Sequence, residues 1–202
     1  MNRPWTLLRL AVAALMLAAV VRDLTDAIDT GTFVFWNFFG YFTIQTNLIG
    51  IATLLIAARF TARARPDWVE FLRAGAALYL IIVVTVFWVL LAPTSDTLWT
   101  WNNLVLHGLS GAALLADWLI EGPRSHLPIR RVWVLLLYPT VWLIVVLIRG
   151  ANDGWFPYPF LDPAKGYASI AVVIVGIFVA GLVVGSALFR LTSWRVVRPA
   201  DA

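Results

Sequence analysis

The chain contains no cysteine. That absence excludes disulfides, thiol nucleophiles, iron–sulfur clusters and cysteine-ligated zinc. Only two histidines, His107 and His126, occur in 202 residues, and two such side chains on opposite sides of a bundle cannot close a metal site. Lysine occurs once, at Lys165, which leaves no span with a lysine for a retinal Schiff base. No P-loop and no glycine-rich dinucleotide fingerprint is present. No metal and no cofactor is therefore expected. Internal repeats, low-complexity tracts and long linkers are also lacking, so residues 1–202 read as a single domain.

Charge is scarce too, at 13% of residues against 61% hydrophobic, with a mean hydropathy of +0.86. A soluble core cannot hide so much apolar surface. The alternation of a β-barrel is missing, whereas successive apolar runs match the roughly 17–25 residues that cross a bilayer as α-helix. An all-α polytopic membrane protein is predicted, with spans near 5–21, 33–58, 73–92, 98–120, 132–148 and 167–189. The first span could pass for a signal peptide, but its removal would invert the charge pattern of the rest, and a retained anchor is expected.

Twelve of the fifteen basic residues fall on one side of such a bundle: Arg3, Arg9, Arg59, Arg63, Arg65, Arg73, Arg124, Arg130, Arg131, Arg190, Arg195 and Arg198. Arg22, Arg149 and Lys165 fall on the other. The positive-inside bias predicts an N-in/C-in orientation. The net charge of +4 then needs no nucleic-acid partner, because anionic headgroups attract those arginines. Arginine exceeds lysine fourteen to one, a bias that points to a high-GC bacterium and its cell (inner or plasma) membrane. The partners expected are the bilayer and a lipid.

Proline should end helices at Ala92-Pro93 and Gly122-Pro123 and kink the fifth span at Pro139. Gly181 and Gly185 share one face of the sixth span, which suits packing within the bundle and, as a second use, a homo-oligomer contact. The segment 150–166 carries four aromatics and three prolines. It reads equally as an interfacial aromatic belt holding Trp155 and Tyr158 or as a lid over a cavity.

Polar groups inside spans are costly and face the interior. Arg9, Arg73, Asp117 and Glu121 lie close enough to the cytoplasmic ends to snorkel or pair there, but His107 lies deep in span four. The stretch Phe42-Thr43-Ile44-Gln45-Thr46-Asn47 places a second polar group deep in span two. Thr43 is ten residues beyond Phe33 and His107 nine beyond Leu98, so both sit roughly 14 Å below the external boundary at 1.5 Å per residue. Helical phase puts Gly40, Thr43, Thr46, Asn47 and Gly50 on one face and Gln45 nearly opposite; Asn103, His107, Ser110 and Gly111 form a matching stripe.

Singly, these residues have plain structural uses. A membrane threonine most often bonds back to its own helix, here to the Phe39 carbonyl, while Asn and Gln act as interhelical glue. As a pair, Thr43 and His107 suit nucleophilic catalysis, with the imidazole taking the hydroxyl proton. Asn47 or Asn103 would then donate to the oxyanion or orient His107. Asp117, ten residues along the same helix, lies about 15 Å from His107 and is too far to touch it.

The chain resembles the androgen-induced and androgen-dependent-TFPI-regulating proteins, a family of intramembrane threonine hydrolases with six-span bacterial relatives. The likeness is carried by Tyr41-Phe42-Thr43, Val84-Thr85-Val86-Phe87-Trp88, Asn103 followed by His107 with Asp117 ten positions later, and Tyr158-Pro159-Phe160-Leu161-Asp162 before Gly166. Leu104 stands where the better-known members carry a second histidine. The resemblance implies Thr43 as nucleophile, His107 as its partner, supporting roles for Trp88 and Tyr158, and fatty acid esters of hydroxy fatty acids as the substrate class. The other expectation is a non-catalytic lipid- or small-molecule-binding protein or transporter whose cavity the same stripe lines.

Overall fold

A computed structural model describes residues 2–61, 63, 65–95, 98–121 and 125–193. The Gly122-Pro123 stop and three arginines of the charge count, Arg124, Arg195 and Arg198, lie outside them. Among the described residues there is no strand. Six helices are long and apolar enough to cross a bilayer: Pro4–Asp29, Phe42–Arg59, Asp67–Leu91, Trp101–Glu121, Ile129–Asp153 and Tyr167–Arg190. They are called the first to sixth helices below. The fold is thus the all-α, six-span bundle of a multi-pass membrane protein.

The third helix is the centre. Its run Ala74–Leu80 is buried on every side, and it packs against the second, fourth and sixth helices, while the first packs along the second. A helix apolar all round must be enclosed by others. The first, fifth and sixth helices instead expose Leu7, Leu17, Val141, Ile148, Val172 and Val183, the apolar outer surface that a hydrocarbon solvent requires. Gly181 and Gly185 face inward: a Cβ at Gly181 would lie 3.1 Å from a Leu136 methyl, and one at Gly185 would lie 3.0 Å from Val132. The glycine face is therefore occupied by the fifth helix.

Two expected spans differ in detail. The second does not run unbroken from residue 33. A single turn, Phe35–Phe38, is followed by extended backbone at Tyr41, and the helix proper starts at Phe42. Gly40 fixes this break, because a Cβ there would lie 2.6 Å from both the Trp155 ring and the Trp36 carbonyl oxygen. The fifth helix winds as a 3-10 helix over Ile129–Leu136 and turns α at Leu137. Pro139 sits in the first α turn, where its missing N–H costs little. The helix thus changes type at Leu137, two residues before Pro139.

Gly40→Ala must displace the Trp155 ring and the backbone around Trp36 together. Overpacking of this kind costs about 1–3 kcal/mol. The variant is expected to melt several degrees lower in detergent, and Trp155→Ala in the same chain is not expected to restore it, since the carbonyl clash remains.

At the arginine-rich end the first, third and fourth helices meet through buried charge. Asp117 accepts from Arg9 Nε at 2.6 Å and from Arg73 Nη2 at 2.8 Å, each on a different carboxylate oxygen. Arg73 also reaches Glu70 at 2.8 Å, and Arg65 joins Glu70 to Glu121 at 2.9 and 2.7 Å. Arg9 completes the circuit on Glu121. Three guanidinium and three carboxylate groups thus neutralise one another, and Arg73 also lies 5.6 Å over the Trp118 ring. Arg9, Arg73, Asp117 and Glu121 pair as expected; Glu70 and Arg65 lie before the span expected near 73–92, and because the third helix begins at Asp67, Glu70 falls in its first turn, with Arg65 two residues ahead of the helix.

Candidate active site

The opposite end of the bundle holds a cavity of about 70 Å³ between the second, third, fourth, fifth and sixth helices and the loop after Asp153. Gly154 caps the fifth helix with φ +72°, a left-handed conformation that glycine adopts without strain. The Asp153 carboxylate accepts the Trp155 N–H at 2.9 Å. This turn sends the loop back over the bundle, and Tyr158, Phe160 and Leu161 become part of the cavity wall. The cavity side of that loop is thus formed by Tyr158, Phe160 and Leu161, with Trp155 packed over Gly40.

Thr43 and His107 meet in this cavity, with Oγ1 and Nε2 3.3 Å apart. Thr43 is the second residue of its helix rather than the eleventh, because of the break at Gly40 and Tyr41. Its hydroxyl therefore does not bond back to the Phe39 carbonyl, which instead accepts the Gln45 amide at 2.7 Å. His107 is placed by a π-helical segment, Val105–Leu109, facing a second one, Phe87–Leu91, in the third helix. Such wide turns leave backbone groups off the regular ladder and recur at functional sites. Here the His107 carbonyl accepts the Trp88 indole N–H at 2.8 Å. Phe87 stacks on the imidazole at 4.0 Å between ring centres.

Hydrogen-bond directions follow from the one partner that can only accept. His107 Nδ1 lies 3.3 Å from the Asn103 carbonyl, so Nδ1 carries the proton and the Nε2 lone pair faces Thr43. The Thr43 hydroxyl then donates to Nε2. Tyr158 Oη, 3.4 Å from Thr43 Oγ1, must donate to that oxygen, and it accepts the Thr43 backbone N–H at 3.2 Å. Burial pushes the Tyr158 phenol up to about 12, so it keeps its proton at any working pH. A directed chain runs Tyr158, Thr43, His107, Asn103.

The other expected site residues surround this chain without touching its reacting atoms. Asn47 donates to the Thr43 carbonyl at 2.9 Å and across to the Leu106 carbonyl at 3.3 Å, tying the second helix to the fourth. Its side chain does not line the cavity. The Asn103 amide caps Leu98 O at 3.1 Å, and only its backbone carbonyl serves His107. Ser110 bonds back to the Leu106 carbonyl. Gln45 takes the Tyr138 hydroxyl at 2.7 Å, a packing contact with the fifth helix on the far face. Asp117 belongs to the ionic cluster.

Sequence reading gave Phe87 no role beyond its place in a motif and missed Trp142. The ring of Trp142 lines the cavity, while its N–H is held by the Gly40 carbonyl at 2.9 Å. No pattern of spacing marks either, since their role depends on which helices adjoin. Among the described residues no group of histidine, aspartate and glutamate has the arrangement of a metal site. Comparison with family models, curated proteins and solved structures gave no match.

Proposed function

We propose that the protein is a membrane-embedded carboxylic ester hydrolase that cleaves a lipid acyl ester through Thr43. The observation that carries this is the 3.3 Å contact between Thr43 Oγ1 and the unprotonated nitrogen of His107, two residues from different helices meeting in an apolar cavity. A hydroxyl needs such a base to become a nucleophile, and hydrogen-bond reach is the first criterion for one. The resemblance to the intramembrane threonine hydrolases supports the same pair. It also makes fatty acid esters of hydroxy fatty acids the first substrates to try.

In the reaction, Thr43 Oγ attacks the acyl carbonyl carbon as its proton passes to His107 Nε2. The Tyr158 phenol, released from Thr43 Oγ, is placed to donate to the developing oxyanion. His107 returns the proton to the departing alkoxide, leaving an ester on Thr43. Water then attacks that ester with His107 as base, freeing the fatty acid and restoring the hydroxyl. With the arginine-rich end toward the cytoplasm, as the charge bias implies, the cavity faces the outer leaflet.

The test is to treat detergent-solubilised protein with an alkyl fluorophosphonate and locate the adduct by tandem mass spectrometry. A single adduct on Thr43 is expected. An adduct elsewhere would overturn the nucleophile assignment. No adduct, together with a co-purifying lipid in native mass spectrometry, would favour the binding protein or transporter instead.

A further inference from the structure

We infer that the acyl group on Thr43 passes preferentially to the hydroxyl of a second membrane-dissolved amphiphile, making the protein a lipid transacylase as well as a hydrolase. The inference rests on the ester-cleaving reading of Thr43, and it follows from which acceptor can reach and stay in the cavity.

Of the cavity-lining residues, only Thr43, His107, Trp142 and Tyr158 carry side-chain nitrogen or oxygen. The Trp142 N–H is already held by Gly40. Just behind the wall, the amide nitrogens of Asn47 and Asn103 and the Ser110 hydroxyl donate to helix carbonyls, while Asn47 Oδ1, which does not line the cavity, is buried without a protein partner. A retained water needs two to four polar partners. Once Thr43 is acylated its hydroxyl no longer donates, which leaves His107 and Tyr158 among the lining side chains, the minimum for a water, to hold the attacking group. An alcohol meets the same two side chains with its oxygen and the apolar walls with its chain.

Approach favours the alcohol as well. On the loop side the site is roofed by rings: Tyr158 stacks on Phe160 at 5.3 Å, and Tyr41 meets Trp155 and Tyr158 edge-on at 5.7 and 5.9 Å. On the membrane side the wall is one helix thick. Ile174, Ile177 and Phe178 of the sixth helix line the cavity, while Val172, Val175 and Val179 on its other face are 73%, 60% and 54% exposed. Residues three and four apart share a face, so this helix touches cavity and hydrocarbon at once. Each CH₂ taken out of water favours partition, which concentrates long-chain alcohols in that hydrocarbon.

The transfer step balances without a further reactant. The acceptor hydroxyl oxygen attacks the acyl carbon and its proton goes to His107 Nε2. The bond from that carbon to Thr43 Oγ breaks, and His107 returns the proton to Thr43. One ester and one alcohol enter, and one ester and one alcohol leave.

The experiment gives purified protein in nanodiscs p-nitrophenyl decanoate with increasing 1-decanol, and quantifies p-nitrophenol, decanoic acid and decyl decanoate by mass spectrometry. Protein carrying Thr43→Ala serves as the blank. The expected result is that decyl decanoate exceeds decanoic acid several-fold at a few mole per cent decanol, while glycerol at equal bulk concentration leaves the acid dominant. Release of p-nitrophenol with decanoic acid alone at every decanol level would overturn the transfer and leave the hydrolase standing. Absence of both p-nitrophenol above the blank and acyl-Thr43 would overturn the ester-cleaving reading itself.

Discussion

The His107→Gln variant is expected to lose labelling by an alkyl fluorophosphonate by about 10²–10⁴-fold, the range that general-base catalysis supplies. Glutamine fills most of the space beside Phe87 and leaves the Asn103 carbonyl in its own helix, so the bundle should remain folded. It has no lone pair of suitable basicity to take the Thr43 proton. Tyr158, the other group within reach of Thr43 Oγ1, at 3.4 Å, cannot substitute, because it donates to that oxygen. The measurement is the second-order rate of adduct formation on Thr43 beside a thermal melt. An unchanged rate with an unchanged melting temperature would remove His107 from the mechanism.

Asp117→Asn is expected to destabilise the bundle by about 3–5 kcal/mol, as breaking a buried pair from one side does. Asp117 holds Arg9 and Arg73 on separate oxygens at 2.6 and 2.8 Å, and all three side chains are nearly inaccessible. Neutralising the carboxylate leaves three guanidinium groups facing two carboxylates, with Arg9, Arg65 and Arg73 at 1% side-chain exposure or less. Removing one charge of each sign, through Arg73→Met with Asp117→Leu, preserves neutrality and should cost less than Asp117→Asn alone. Denaturant midpoints in a single detergent check the order of the three proteins. Should the double variant be the weakest, packing rather than charge balance governs this end.

How far the molecule was legible in its sequence can be argued from these same residues. The six apolar runs were readable because bilayer thickness imposes a length on each, whatever its neighbours. Thr43 and His107 were readable because few polar groups sit that deep. Their meeting was expected from equal depth in two continuous helices, yet one helix is broken and Thr43 lies in its first turn. The break depends on Trp155 closing over Gly40 from a loop more than a hundred residues away, and no local pattern announces that. The two π-helical segments are hidden for the same reason, since the Trp88 contact that satisfies one of them comes from another helix. Tyr158 was named through its aromatic-rich loop and through resemblance, while its bonds to Thr43 belong to the fold. Asn47, Asn103 and Ser110 carry the right chemistry at the right phase, but helix carbonyls lie closer to them than the cavity does.

The break at Gly40 and Tyr41 also has an electrostatic consequence. Beginning the helix at Phe42 gives it 18 residues whose peptide dipoles add toward that end, equivalent to about half a positive charge at the first turn. Thr43 sits in that field. A hydroxyl halfway along an unbroken span would have gained nothing from it, whereas here negative charge developing on or beside Thr43 Oγ is favoured before any side chain contributes. Apolar surroundings, which screen so poorly, let the effect keep most of its strength. The discontinuity that shortens the span thereby supplies fixed positive potential at the one place in the cavity where negative charge would form.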